Sequence, residues 1–111
     1  LRIDHELAFS DLNFDFLRWH ELLQPFGNGN RQPLFYTRQV EPVAAPRLVK
    51  EKHLVLRLRH KNQHKRAVFF DGAKELLPPA PWDIAFQIKA GEYEGEARLD
   101  LHVQAVRPSA G

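Results

Sequence analysis

Nine residues near the middle of the chain alternate between two sides of the backbone. In His53-Leu54-Val55-Leu56-Arg57-Leu58-Arg59-His60-Lys61, Leu54, Leu56 and Leu58 fall on one side of an extended backbone, and Val55, Arg57, Arg59 and Lys61 on the other. A helix would need its apolar residues every three to four positions, so a period of two fixes this segment as a strand with one dry and one wet surface. The wet surface is cationic.

That strand sits in a wider basic block. From Arg47 to Arg66 the chain places eight basic side chains (Arg47, Lys50, Lys52, Arg57, Arg59, Lys61, Lys65, Arg66) against one acid, Glu51, with three histidines alongside. The whole chain carries a formal net charge of only +2, so the positive charge is local and the remainder is slightly acidic on balance. A β surface that is apolar inside and cationic outside suits a polyanion. The plainer reading is a solvated sheet face that happens to use Lys and Arg.

The rest of the chain falls into segments. Arg2 to Ala8 reads as a short strand. Ser10 or Asn13 then caps a helix whose first turn carries Asp11 and Asp15, favourable against the helix dipole. Leu12, Phe16, Trp19 and Leu23 line one face of it, as core or as a docking surface for a neighbouring domain, and Pro25 and Gly27 end it. Pro25-Phe26-Gly27-Asn28-Gly29-Asn30 is a hinge whose glycines and asparagines supply positive φ. It is not a phosphate loop, since no strand precedes it and no Lys-Ser/Thr pair follows.

From Leu34 onward strand signals repeat. Leu34 to Val43 predicts a first strand, ended by Pro42 and Pro46, and His53 to Lys61 a second. Lys65 to Phe70 follows as the third, joined to the second in a hairpin through Lys61-Asn62-Gln63-His64. Asp71-Gly72 closes it, and Ala73 to Leu77 makes a short helix before Pro78, Pro79 and Pro81. Trp82 to Lys89, with Ile84, Phe86 and Ile88 inward, is the fourth strand. Glu96 to Arg107, with Leu99, Leu101, Val103 and Ala105 inward, is the fifth, reached through a turn over Gly91 to Gly95.

Five strands with a short helix between the third and fourth is the element order of an OB-fold barrel. That architecture binds single strands on its second and third strands, flanked by the loops joining strands one to two and four to five, and the basic block coincides with the first loop and both strands. The division expected is an N-terminal strand, helix and hinge over 1–33, the barrel over 34–108, and a tail over 109–111. An immunoglobulin-like sandwich would need about seven strands, more than this length holds beside the N-terminal helix.

With 111 residues, 43% of them hydrophobic, the chain fits one self-sufficient domain. The absence of cysteine excludes disulfides and thiolate metal sites and suits a reducing cytosol. No run is long enough for a transmembrane helix. The chain has no methionine and begins Leu1-Arg2-Ile3, and so reads as an excised piece of a longer protein.

At Leu23-Gln24-Pro25-Phe26-Gly27-Asn28-Gly29-Asn30, with Pro33 beyond, the chain resembles the RecJ family of bacterial single-strand-specific DNA exonucleases at the start of their OB domain. Lys52-His53-Leu54 with Leu56, Ala67-Val68-Phe69-Phe70 and Glu92-Tyr93-Glu94-Gly95 keep the family's order, so the resemblance covers nearly the whole chain. Arg31, Val55, Gly91 and Asp100 depart from it, standing where proline, a basic residue, asparagine and glutamine are common. The resemblance implies a parent that degrades single-stranded DNA from the 5′ end in repair and recombination, using manganese or magnesium held by other domains. This fragment would be a cytoplasmic, monomeric, non-catalytic module with no cofactor and no membrane contact, its partners single-stranded DNA and the parent's other domains. The family's Asp-His-His motif has no counterpart here, because Asp4-His5 is followed by Glu6.

Strand binding asks for cations along the phosphates and aromatic faces under the bases. The candidate contacts are Lys50, Lys52, His53, Arg57, Arg59, Lys61, Lys65 and Arg66. Phe69 joins them if Phe70 and Val68 pack inward, which would turn Phe69 out beside Lys65 to stack on a base for roughly 1–3 kcal/mol. Tyr93 is a second aromatic candidate. Glu92, Glu94 and Glu96 make the last turn a poor phosphate contact. His60 and His64, four apart across the hairpin, read as polar turn residues rather than as metal ligands, and Ser10 and Ser109 as a cap and a tail residue rather than as nucleophiles. The alternative function is an interaction module whose cationic face docks on an acidic surface of its parent or a partner, with no nucleic-acid contact.

Overall fold

A computed structural model describes residues 5–12, 16, 33–74, 77–93 and 95–109. Among these, seven strands form one sheet: β1 (His5–Glu6), β2 (Phe35–Pro42), β3 (Arg47–Val49), β4 (His53–His60), β5 (Gln63–Phe69), β6 (Trp82–Tyr93) and β7 (Glu96–Pro108). Five of them close into a barrel in the order β2-β6-β7-β5-β4, sealed where Glu41 and Pro42 of β2 meet Arg59 and Leu58 of β4. The β5–β7 pairing is parallel, Ala67 against Leu101, while the other barrel pairings are antiparallel. This is the OB-fold barrel expected, with β2, β4, β5, β6 and β7 as its strands.

Alternation builds the interior. Leu56 and Leu58 from β4, Ala67 from β5, Ile84, Phe86 and Ile88 from β6, and Leu101 and Val103 from β7 are all buried, with Phe35, Val40 and Trp82. Each large side chain withdrawn from water this way contributes about 1.5–3 kcal/mol. Trp82 satisfies its indole N–H by donating to the Pro78 carbonyl at 2.7 Å. The expected Ala105 is displaced from the inward row. The β6–β7 register slips between Ala85 and Phe86, the alternation inverts beyond it, and Val106 packs on the core instead.

The N-terminal segment plugs one end of the barrel. β1 runs parallel to β2, Leu7 N–H donates to the Tyr36 carbonyl at 2.8 Å, and the buried Thr37 hydroxyl donates to Leu7 O at 2.7 Å. Beyond it, Phe9–Asp11 forms a 3₁₀ turn that buries Phe9. Ser10 lies inside this turn and does not cap a helix; Ala8 occupies the cap position and its N–H donates to the Asp11 carboxylate at 2.9 Å. The alternative cap Asn13, most of the expected helix and the 25–30 hinge lie outside the described residues. Of that helix's apolar row, Leu12 is buried and Phe16 packs edge-on against Phe35.

Three further differences concern loops. The loop between the first two barrel strands contains β3, antiparallel to β4 with Arg47 opposite Val55. The short helix after β5 is a 3₁₀ turn over Gly72–Lys74. β6 continues past Lys89 to Tyr93, which pairs with Glu96 of β7, so Gly91 lies in the strand, and Gly95 takes φ +82°.

Candidate nucleic-acid interface

The outer surface of the sheet from β3 to β6 can be laid out from its register. One row across the strands reads Arg47, Val55, Val68, His102 and Gln87; the next reads Arg57, Arg66, Asp100 and Lys89. Rows two residues apart along a strand are separated by about 7 Å. Val55 therefore sits between Arg47 of β3, its register partner, and Val68, one row from Arg57, which makes an apolar step in the basic surface.

The cations divide by what they touch. Arg66 is drawn to Asp100 at 2.8 Å across the parallel β5–β7 seam, with both side chains mostly covered. Arg59 pairs with Glu41 across the β2–β4 seam, where the two are register partners. Lys65 lies on the inward-facing side of β5 with Ala67, and its ammonium reaches the Leu12 carbonyl at 3.5 Å, so it is not part of the outer face. By contrast Arg47, Lys50, Lys52, Arg57 and Lys61 are exposed and make no ion pair among the described residues. Arg57 stands directly opposite Arg66, a like-charge pair that an anion would relieve.

Four of these unpaired cations gather around the β3–β4 hairpin. Its turn is tight: Lys52 N–H donates to Val49 O at 3.2 Å, with Lys50 and Glu51 both left-handed at φ +54° and +60°. Such a turn has the twist that matches a hairpin, but it normally uses Asn or Gly at these positions. Lys61, the fifth, is at the opposite end, in the turn joining β4 to β5, also left-handed at φ +55°.

Phe69 is not an outer residue. It shares the inward side of β5 with the fully buried Ala67, pairs in register with Leu54 and packs on the core. The arrangement with Phe70 and Val68 inward is thus not the one adopted; Phe70 turns outward and stays 48% exposed. Its ring meets those of His53 and His102 edge-on, each at 5.0 Å between centroids. The outward aromatic was legible only as one of two adjacent phenylalanines, and His102 was missed because nothing in the sequence places it beside them. His53 is half-buried and accepts a hydrogen bond from Asp71 N–H at 3.0 Å through Nδ1. Burial, followed by the nearby Lys89, lowers the pKa of His102 and outweighs the opposing effect of Asp100.

His60 and His64 point to opposite faces, since Arg59 pairs in register with His64 and His60 with Gln63. His60 lies under Phe9, accepts Phe9 N–H at 3.3 Å through Nδ1, and has its pKa lowered by burial and then by Lys61. Among the described residues no group of three or more His, Cys, Asp or Glu is placed to hold a metal ion. The side chain of Tyr93, like those of Glu92, Glu94 and Glu96, lies outside the described residues.

A cleft of about 590 Å³ opens at the barrel end near the β4–β5 turn, lined by Glu6, Arg38, Gln39, His60, Lys61 and Asp83, among others. Its charges largely cancel. Glu6 is bound by Arg38 at 2.9 Å, and the nearly buried Asp83 accepts a hydrogen bond from the backbone N–H of Gln39, which sits at φ +58° in the β2 bulge. The hairpin end of the sheet, not this cleft, carries unbalanced charge.

A family model described as the RecJ OB domain matches residues 3–105. Two crystal structures of RecJ from Thermus thermophilus, in complex with Mn²⁺ and with Mg²⁺, are similar over 100% of this chain, each with a TM-score of 0.74 and 22% identity. The chain covers 16% and 17% of those chains, and the likeness is one of fold. No curated protein matches.

Proposed function

The chain belongs to the RecJ OB domain family, and from that premise we propose that it binds single-stranded DNA and holds it for catalytic domains elsewhere in a longer chain. Those domains would carry the divalent metal and the 5′-to-3′ exonuclease chemistry that serves DNA repair and recombination, while this domain contributes grip alone. The observation that carries the reading is the set of exposed cations without acidic partners among the described residues, Arg47, Lys50, Lys52 and Arg57, around one hairpin on the outer face of an OB barrel.

The mechanism is electrostatic. Phosphates that settle against these side chains release condensed counterions, so affinity falls as salt rises, by a slope of about 0.7 in log–log units for each neutralised phosphate of a single strand. Cations on a β surface read no base edges, which makes this part of the binding independent of sequence. Titrating a labelled single-stranded oligonucleotide into the domain at low and moderate salt tests the reading. Binding that weakens with salt is expected; no binding at low salt, or binding indifferent to salt, contradicts it.

A second reading, docking on another domain or a protein partner, draws on Leu48 and Val43, large apolar side chains left 55% and 45% exposed. Competition separates the two: oligonucleotide displaces a partner that uses the cationic face and leaves in place one seated on Leu48.

A further inference from the structure

We propose that Phe70, gripped by His53 and His102, is a stacking platform for an unpaired nucleobase. The inference rests on the single-strand reading above and extends it from the phosphates to the bases.

Phe70 exposes about half its surface, although its immediate neighbour Phe69 is partly buried against the barrel core. The exposed half of a phenylalanine gains nothing from the hydrophobic effect unless something covers it. The chain nevertheless positions it. Asp71 N–H is bound to His53, and Ala73 N–H donates to the Lys52 carbonyl at 3.1 Å, so the segment leaving Phe70 is tied at two points to the start of β4. The two imidazoles come from different strands, β4 and β7, and hold the ring from two sides. A side chain restrained before its ligand arrives loses less freedom on binding.

Its surroundings select the ligand. His53, Phe70 and His102 lie on the same outward face as Val55 and Val68, so the ring borders an apolar step rather than open charge. The row of Arg57 and Arg66 follows at about 7 Å along the strands from Val55 and Val68, and Lys50 and Lys52 occupy the adjoining hairpin turn. Aromatic surface next to a run of cations is what a single strand requires, base on one and phosphate on the other. An apolar peptide would leave the cations unanswered, and an acidic one would leave the ring uncovered. Burial lowers the pKa of His102, which disfavours a charge on that imidazole beside the ring.

The test compares two oligonucleotides with the same number of phosphates, oligo-dT and an abasic strand, on the wild-type domain, Phe70→Leu and Phe70→Trp. Stacking on aromatic side chains contributes about 1–3 kcal/mol per base, so the wild type should bind oligo-dT on the order of tenfold more tightly than the abasic strand. Phe70→Leu, which keeps apolar bulk and so preserves the fold, should lose that difference while retaining abasic affinity and salt slope; Phe70→Trp should keep it. Equal wild-type affinity for the two strands, or a leucine variant that binds oligo-dT like the wild type, overturns the platform while the phosphate reading stands, and leaves the ring to a protein partner. Failure of the wild type to bind either strand overturns both.

Discussion

The two ends of the β4–β5 hairpin put similar residues to different uses. Toward the Lys61-Asn62 turn, Arg59 is tied to Glu41 and Lys65 reaches inward to Leu12, and midway along the hairpin Arg66 is tied to Asp100. The two ion pairs lie across the seams that close the barrel, β2–β4 and β5–β7. Toward β3, Arg47, Lys50 and Lys52, and midway along the hairpin Arg57, make no ion pair among the described residues, and the aromatic cluster of Phe70 lies toward the same β3 end. A basic block in a sequence is therefore not a measure of binding charge. Part of this one helps to close the barrel, and the part available to a polyanion is displaced toward the β3–β4 hairpin.

Charge reversal probes the difference most severely. Arg47→Glu with Arg57→Glu should weaken oligonucleotide binding by more than tenfold, about 1.4 kcal/mol or more, and leave the urea midpoint nearly unchanged because both side chains are exposed. Loss of folding with loss of binding would show that this end, too, is structural.

Arg66→Gln should act the other way round. It leaves the mostly covered Asp100 carboxylate without its guanidinium, so about 1 kcal/mol of stability should be lost in urea unfolding. Asp100→Asn in the same chain should recover part of it, while oligonucleotide affinity changes less than about threefold. Arg59→Gln breaks a pair that is about half exposed, and its cost should stay within about 0.5 kcal/mol. A larger loss would mean that the β2–β4 seam depends on its ion pair more than on its backbone pairing.

The smallest expected effect is a pH slope. Burial lowers the pKa values of His60 and His102 in the folded state, so the unfolded chain takes up protons first. Their contribution to stability is complete above the ordinary histidine pKa of about 6.5 and is lost as pH falls from there toward the lower folded values. Thermal melts between pH 7.5 and pH 5 should show the decline, and His102→Gln should make it shallower.

What could be read in the sequence follows from what repeats. The five barrel strands were legible because Leu54-Leu56-Leu58 and Ile84-Phe86-Ile88 hold a period of two, and the OB order followed from a short break between the third and fourth strands. β3 was not legible: it is three residues long, and its turn places Lys50 and Glu51, instead of Asn or Gly, at positive φ. The exchange of Ala105 for Val106 came from a register slip that no local pattern announces. For the candidate site, the cations were visible and their partners were not. Glu41 and Asp100 lie far along the chain from Arg59 and Arg66, and only barrel closure brings them together. The same holds for Phe69 and Phe70, whose facing is set by Ala67 entering the core.

The salt dependence of single-strand binding, compared between two neutralised variants, tests the division most directly. Removing two phosphate contacts with Arg47→Gln and Arg57→Gln should flatten the slope of log affinity against log salt by about 1.4, at about 0.7 for each contact. Arg59→Gln with Arg66→Gln, which opens both seam pairs, should leave the slope as in the wild type and lower only the stability. Equal slopes in all three proteins, or a slope flattened by the seam variant and not by the hairpin variant, would contradict the assignment of binding charge to the β3–β4 end.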